Sequence, residues 1–443
     1  MSFFEWFAEI FGKEKDIVCY ESGLKLMDNE DFTKAAFEFA EAIKVKPTEE
    51  KYHDAYGKTL YKKGMKREAD AAFEIADDLK GIAKDPSNAK ILCRLAMGFQ
   101  NKRMFSVSQR YIKRAIAVDP ANYQVFFLLG RANYLMNKPQ GAIEQYEKTL
   151  EINPYCYDAY IGLRDVYNAL GNKAKQTASE ELAMLVKNVD KSSKDSVART
   201  NLGDAFRKYK KNKLAEVEYN EALKLNEKSE KALLGLGILH FSKNELPAAT
   251  KYFQRAISIN KYNPEPHSYL CLIYQMDPDT KNEADWERTL ATKLKELEQC
   301  DDKSKVYSAV GDFFLEDNDL DATEEAYLKA LQINSSNPDT HVKLALLYGS
   351  KKENKEAMDY SEQAIKLAPD KDIGYTGKGR VLMGMEQLDE AILCFQEALK
   401  YSAKNPDIHK FLGEAYKKKG LYQLADKEIR IMGTIQSGVE EVI

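Results

Sequence analysis

Five histidines and six cysteines are the side chains of this 443-residue chain best suited to metal binding or nucleophilic catalysis. His53, His240, His267, His341 and His409 stand far apart, and no HxxxH or HExxH pairing places two imidazoles one helical turn apart as zinc requires. Cys19, Cys93, Cys156, Cys271, Cys300 and Cys394 form no CxxC pair and no short metal spacing, so they read as free thiols in a reducing compartment. No GxxxxGK[ST] loop is present to cradle phosphate, and nothing points to a Ser–His–Asp or Cys–His nucleophile pair. The expectation is a protein that is not an enzyme and needs no cofactor.

Charge narrows the partner class. Lys and Arg total 66 against 70 acidic residues, a net charge of −4, whereas a protein tracking phosphates should be basic. Nucleic acid is therefore not expected. No apolar run approaches the roughly 20 residues of a membrane span, and the N-terminus lacks a basic leader and a small-residue cleavage site. The expected address is the cytoplasm. With 44% hydrophobic and 31% charged residues the chain is globular, and only 12 Pro and 23 Gly leave long stretches free to be helical.

The elements carrying these residues announce themselves through a fixed period. Ala330, Ala364 and Ala398 are 34 residues apart, as are Ala357, Ala391 and Ala425. Gly311, Ala345, Gly379 and Gly413 keep the same step, and so do Phe314, Tyr348, Leu382 and Tyr416. Upstream, Pro120 to Pro154, Gly203 to Gly237 and Ala222 to Ala256 repeat it. Ala215, Tyr219 and Ala222 lie at i, i+4 and i+7, one face of a helix. Small residues such as Gly203 let a second helix approach the first. Asn-Pro at 263–264, 337–338 and 405–406 opens new helices, and no stretch alternates as a strand does.

Segment 123–154 carries Phe126, Leu129, Gly130, Ala142, Tyr146 and Pro154; segment 373–403 carries Tyr375, Gly379, Leu388, Ala391, Phe395 and Ala398. This pattern resembles the tetratricopeptide repeat. Twelve such units cover about residues 16–436, and the resemblance implies an all-α, right-handed superhelical α-solenoid with a concave groove lined by the first helix of each unit. Extra residues follow units two, five and eight (five, five and six of them), so the second helices there are expected to be longer. These three units are 107 residues apart, which independent extensions or duplication of a three-unit block would both explain. His53, His267, His341 and His409 share the slot of the large residue opening the first helix, and His240 takes an aromatic slot near the end of its own. Rings packed at repeat joints account for all five.

Carrying the family's inward slots over gives Phe127, Leu128, Arg131, Tyr134 and Leu135 in unit four, Leu234, Ile238 and Phe241 in unit seven, and Tyr269, Leu272 and Met276 in unit eight. An exposed helix face is normally polar, so this apolar lining is a candidate ligand surface. Lys90 and Arg94, and Asp204, Arg207 and Lys208, are charged inner slots. Some relatives clamp a C-terminal carboxylate with Lys and Asn donors. Lys90 and Arg94 match the third-repeat pair of that clamp, but Tyr20, Leu24 and Ala55 stand where earlier donors belong, so the clamp is incomplete.

The ends differ. In residues 1–15, Phe3, Phe7, Ile10 and Phe11 form one helical stripe flanked by Phe4 and Trp6, worth on the order of 10 kcal/mol of gross burial. A helix this short is marginal alone, so it is expected to cap the first unit, fill a groove of its own or another copy, or bind a partner. Glu5 and Glu9 on its polar face disfavour a membrane surface. The last helix is expected to end near Gly433, leaving 437–443, with its Glu-Glu-Val-Ile ending, as a tail. The chain thus reads as an adaptor or assembly scaffold holding a protein or peptide partner. A non-catalytic subunit or assembly factor of an enzyme complex, and a scaffold self-assembling through its N-terminal helix, are the alternatives.

Overall fold

The structure, a computed structural model, describes residues 14–437. Among them are 24 α-helices and no strand, and successive helices pair as twelve hairpins. The first six are α1 (Lys15–Asp28) with α2 (Phe32–Val45), α3 (Glu50–Lys62) with α4 (Lys66–Lys84), α5 (Ala89–Asn101) with α6 (Phe105–Val118), α7 (Tyr123–Leu135) with α8 (Pro139–Ile152), α9 (Tyr157–Ala169) with α10 (Lys173–Lys191), and α11 (Ser196–Lys208) with α12 (Asn212–Leu225). Next come α13 (Glu230–Ser242) with α14 (Leu246–Ile259), α15 (Pro264–Tyr274) with α16 (Lys281–Gln299), and α17 (Lys303–Glu316) with α18 (Leu320–Ile333). Hairpins 10 to 12 are α19 (Pro338–Ser350) with α20 (Asn354–Leu367), α21 (Asp372–Gly384) with α22 (Leu388–Tyr401), and α23 (Pro406–Lys418) with α24 (Tyr422–Ser437). The final helix thus runs four residues past Gly433, whose missing side chain would meet nothing within 4 Å. The chain divides into two compact units, Met1–Gly235 and Leu236–Ile443, and the divide falls inside α13.

Eleven of the twelve hairpins close through one left-handed residue. Asn137 has φ 58°; its N–H donates to Tyr134 O at 3.0 Å and the next N–H, of Lys138, donates to Asn133 O at 2.8 Å. This satisfies carbonyls that the helix end would otherwise leave open. Eleven residues between Glu30 and Gly420 repeat the device, and only three of them are glycine. Hairpin 8 uses a 3-10 turn, Pro278–Thr280, instead. At several joints asparagine starts the next helix: Asn405 Oδ1 accepts from Asp407 N at 3.0 Å, with Pro406 at the first helical position.

The core is a ladder of aromatic rings set on glycines. A Cβ added to Gly203 would lie 2.7 Å from Tyr219 Cε1, and one added to Gly235 would lie 2.3 Å from Tyr219 Cζ. The same ring is therefore gripped by its own hairpin and by the next. Tyr146 sits likewise between Gly130 and Gly162. Close approach of helices, and not turn flexibility, is what these glycines supply.

Several first helices touch across successive hairpins, as α1 does α3 and α7 does both α5 and α9, while among the described residues second helices make no contact of comparable extent. Within each unit the first-helix layer is the tighter one, hence the concave side. α4, α10 and α16 have 19 residues each, against 14 in the other second helices up to α22. At the joints that follow them, α3 and α5, α9 and α11, and α15 and α17 do not pack side by side among the described residues. The same is true of α17 and α19, whose joint follows a 14-residue helix, so helix length alone does not set this spacing.

Candidate functional site

The exposed face of the first-helix layer carries apolar residues at recurring slots. In the first unit Leu24 and Met97 share one slot, and Tyr61 and Tyr134 share another one helical turn on. With Leu135 they are between 38% and 58% exposed. Large apolar side chains held in water on one face of four successive helices form a surface suited to a partner. Tyr61 and Met97 do not figure in the sequence-derived lining, and Leu24 enters there only as a departure from the carboxylate clamp; the shared slots are the available signal.

Other sequence-chosen residues behave differently. Phe127 is half-buried, its ring centroid 5.9 Å from that of Tyr146. Leu128 is only 3% exposed and Leu234 only 8%, so both belong to the core and neither is available to a ligand. Leu128 lies one residue beyond Phe127, about 100° further round the helix. In the second unit Phe241 and Tyr269 pack edge to face at 5.3 Å, and Tyr269 stacks on Phe253 at 5.1 Å. Ile238 is half-buried. Leu272 and Met276 are exposed, and so is Leu315 on α17, which sequence reasoning passed over.

The charged slots are largely satisfied within the protein. Arg94 Nε lies 3.0 and 3.1 Å from the two carboxylate oxygens of buried Asp78, and its Nη2 also donates to Asp78, whereas exposed Lys90 makes no ion pair among the described residues. A carboxylate clamp at this point would have to break a bidentate ion pair. Arg131 Nη2 donates to Asn101 Oδ1 at 2.6 Å. Tyr219 Oη donates to Asp204 Oδ1 at 2.7 Å and accepts from Arg207 Nε at 3.2 Å, so the charges of α11 are tied to the ring on the glycine ladder.

The histidines clip the joints. Nε2 of His53, His267, His341 and His409 each donates to the carbonyl six residues earlier, those of Pro47, Lys261, Ser335 and Ala403, at 2.8, 3.1, 3.0 and 3.0 Å. Nδ1 of His267 and His409 meets Glu287 Oε2 and Glu428 Oε2 at 2.6 and 2.7 Å. His53 has no such partner; burial, with Lys102 nearby, pushes its pKa down to about 4. His240 pairs with Glu245 at 2.5 Å and stacks on Tyr252. Among the described residues no three His, Cys, Asp or Glu side chains gather as a metal site, and no helix is long and apolar enough to cross a membrane. Phe3, Phe4, Trp6, Phe7, Ile10 and Phe11, and the ending 438–443, lie outside the described residues.

Comparison with known proteins agrees with this geometry. Family models described as tetratricopeptide repeat match residues 93–155, 200–264 and 338–371, and one described as TPR repeat matches 379–420. Protein O-mannosyl-transferase TMTC3 of Homo sapiens is 23% identical over 339 residues, 74% of this chain and 37% of that protein. RNA polymerase II-associated protein 3 of Xenopus laevis is 24% identical over 178 residues, 38% of this chain and 26% of that protein. Small glutamine-rich tetratricopeptide repeat-containing protein 2 of Saccharomyces cerevisiae is 25% identical over 137 residues, 30% of this chain and 39% of that protein. The chain spans less than two-fifths of the length of each of these relatives.

Proposed function

This chain is a tetratricopeptide repeat protein, and from that premise we propose that it is a protein-interaction adaptor whose first-helix face holds a peptide, helix or folded partner. The observation that carries the reading is the run of exposed apolar residues, Leu24, Tyr61, Met97, Tyr134 and Leu135, across four consecutive first helices. Their burial would supply affinity, and the neighbouring charges, Lys90 above all, would select among partners. Leu272, Met276 and Leu315 offer a second such surface in the second unit. The cytoplasm is the address that goes with this reading.

The test is affinity purification from the native source with mass spectrometry, comparing the wild type with Tyr61→Glu/Met97→Glu/Tyr134→Glu. Phe37→Glu, on exposed α2, is the control. The reading expects a defined partner that the triple change releases and the control retains. Identical partner sets in all three samples would remove the first-helix face from consideration.

A further inference from the structure

We propose that the joint between hairpins 5 and 6 is a second binding site, which takes an acidic, aliphatic peptide segment of a partner protein and holds its carboxylate at Lys211 and Tyr160. It lies wholly within the first unit, and its walls are other residues than the exposed first-helix slots.

A cavity of about 910 Å³ opens there, bounded by α8, α9, α10 and the turn from α11 into α12. Leu150, Leu163, Leu182 and Leu214 give it an aliphatic lining. Two hydrogen-bond donors on its wall lack an acceptor among the described residues. The Tyr160 hydroxyl is buried, on a residue 1% exposed, with no hydrogen-bond partner. The half-buried Lys211 ammonium sits 5.9 Å from the centre of the Tyr160 ring and has no carboxylate within ion-pair distance. An unpaired buried hydroxyl is costly, so an acceptor brought by a ligand to Tyr160 would be favoured. Burial also holds the Lys211 ammonium below the usual lysine range.

Charge decides the kind of acceptor. Lys175, Lys210, Lys211 and Lys213 face the cavity against Glu147 and Glu151, four positive charges to two negative. Glu147 is further occupied by the Tyr167 hydroxyl at 3.4 Å. The excess favours a carboxylate, and the leucine wall favours aliphatic residues beside it.

The two other joints built on long second helices show what a closed version looks like. Lys211 follows the left-handed Lys210; 107 residues earlier Met104 follows the left-handed Arg103. Met104 packs against apolar clusters on both sides of the joint between hairpins 2 and 3. At the joint between hairpins 8 and 9, Trp286 is the sixth residue of α16, where α10 has Ala178. Its ring lies 5.3 Å from Phe313 and 6.5 Å from Phe314. There the fourth residue of the first helix, His267, finds Glu287 on the seventh residue of α16. In hairpin 5 the same two places hold Tyr160 and Ser179, and Ser179 Oγ donates back to Lys175 O at 2.9 Å, leaving Tyr160 alone. The first joint is filled by Met104, with Ala71 at the Trp286 place, and the last by Trp286, with Asp319 at the Met104 place; the joint of hairpins 5 and 6 has neither, only Lys211 and Ala178, and is open.

Fluorescence anisotropy with the full chain tests this, using a fluorescein-labelled, capped Leu-Glu-Leu-Glu-Leu peptide and its Leu-Gln-Leu-Gln-Leu counterpart. The acidic probe should bind at least tenfold more tightly. Lys211→Met, which places at this joint the residue that fills the first, should lower its affinity at least tenfold; Tyr160→Phe should lower it severalfold. Tyr61→Glu, on the first-helix face, should leave it unchanged, which separates this site from the proposed adaptor surface. Should Lys211→Met fail to fold, Tyr160→Phe decides. Equal binding of the two probes, no binding of the acidic probe at millimolar concentration, or indifference to both cavity changes would overturn the proposal.

Discussion

His409 and Glu428 form a pair in which the imidazole is bracketed by acceptors: Nδ1 lies 2.7 Å from Glu428 Oε2 while Nε2 lies 3.0 Å from Ala403 O. The same places on the two helices hold His267 with Glu287 and Arg199 with Glu218, the latter at 3.1 Å with Glu218 fully buried. Three hairpins thus set a histidine or an arginine against a carboxylate at these two places. Removing the carboxylate takes a partner from a buried nitrogen. Glu428→Ala and Glu287→Ala should each cost about 2 kcal/mol in a denaturant melt of the full chain, and a cost near zero would mean the contacts are exchanged freely with water.

His53 stands in that slot without a carboxylate, because the facing residue of α4 is Ala72. Its pKa falls from 6.5 to about 4 through burial and the nearby Lys102. The unfolded chain therefore takes up a proton at higher pH than the folded one. The stability this neutral ring contributes is present above pH 6.5 and is lost as pH falls toward 4, to the extent of about 3 kcal/mol. Chemical melts of wild type and His53→Gln across this range check the sign. The wild type should lose stability toward acid, and the variant should lose less.

Much of the fold is legible in the sequence because its cause is local. The 34-residue step, the glycines under Tyr146 and Tyr219 and the Asn-Pro starts are all readable without coordinates. The turns are less so: Glu30, Arg103, Lys210, Lys352 and Glu386 take φ near +60° without any residue preference announcing it, since the hairpin packing imposes it. Exposure was the hardest to read. Phe127 and Leu234 occupy the same slot, yet one is half-buried and the other is core, so the slot by itself does not set exposure. The cavity at Lys211 was invisible, since it needs three joints to be compared in space.

Leu128 and Leu234 therefore separate stability from binding. Leu128→Ala and Leu234→Ala should each cost about 3 kcal/mol, as buried leucines do. Tyr134→Ala, on the exposed face, should stay within about 0.5 kcal/mol of wild type. Thermal or urea melts of the three proteins give the comparison, and a stable Leu234→Ala would return that residue to the surface.

The glycine ladder makes a prediction of opposite kind, one of overpacking. A methyl group at residue 203 would lie 2.7 Å from a Tyr219 ring that cannot retreat, because Gly235 holds its other face. Gly203→Ala should therefore destabilise by about 2 kcal/mol despite the better helix propensity of alanine. The double change Gly203→Ala/Tyr219→Leu, which trades the ring for a smaller group, should recover part of the loss. If Gly203→Ala alone raises the melting temperature, the ring is not held as tightly as its two glycine contacts imply.

The thiols test the same packing by chemistry. Burial, with Glu38 adding to it at Cys19, pushes the pKa of Cys19 up to about 11; burial, with Asp119 adding to it, does the same at Cys93. At pH 8 each thiolate is scarce, so reaction with a disulfide reagent should run about a hundredfold slower than at an exposed thiol. Mass spectrometry after brief alkylation should find both unmodified in the folded chain and both modified in urea. Rapid labelling of Cys93 in the native protein would show that hairpin 3 opens locally at its joint with hairpin 2, the joint that Met104 closes.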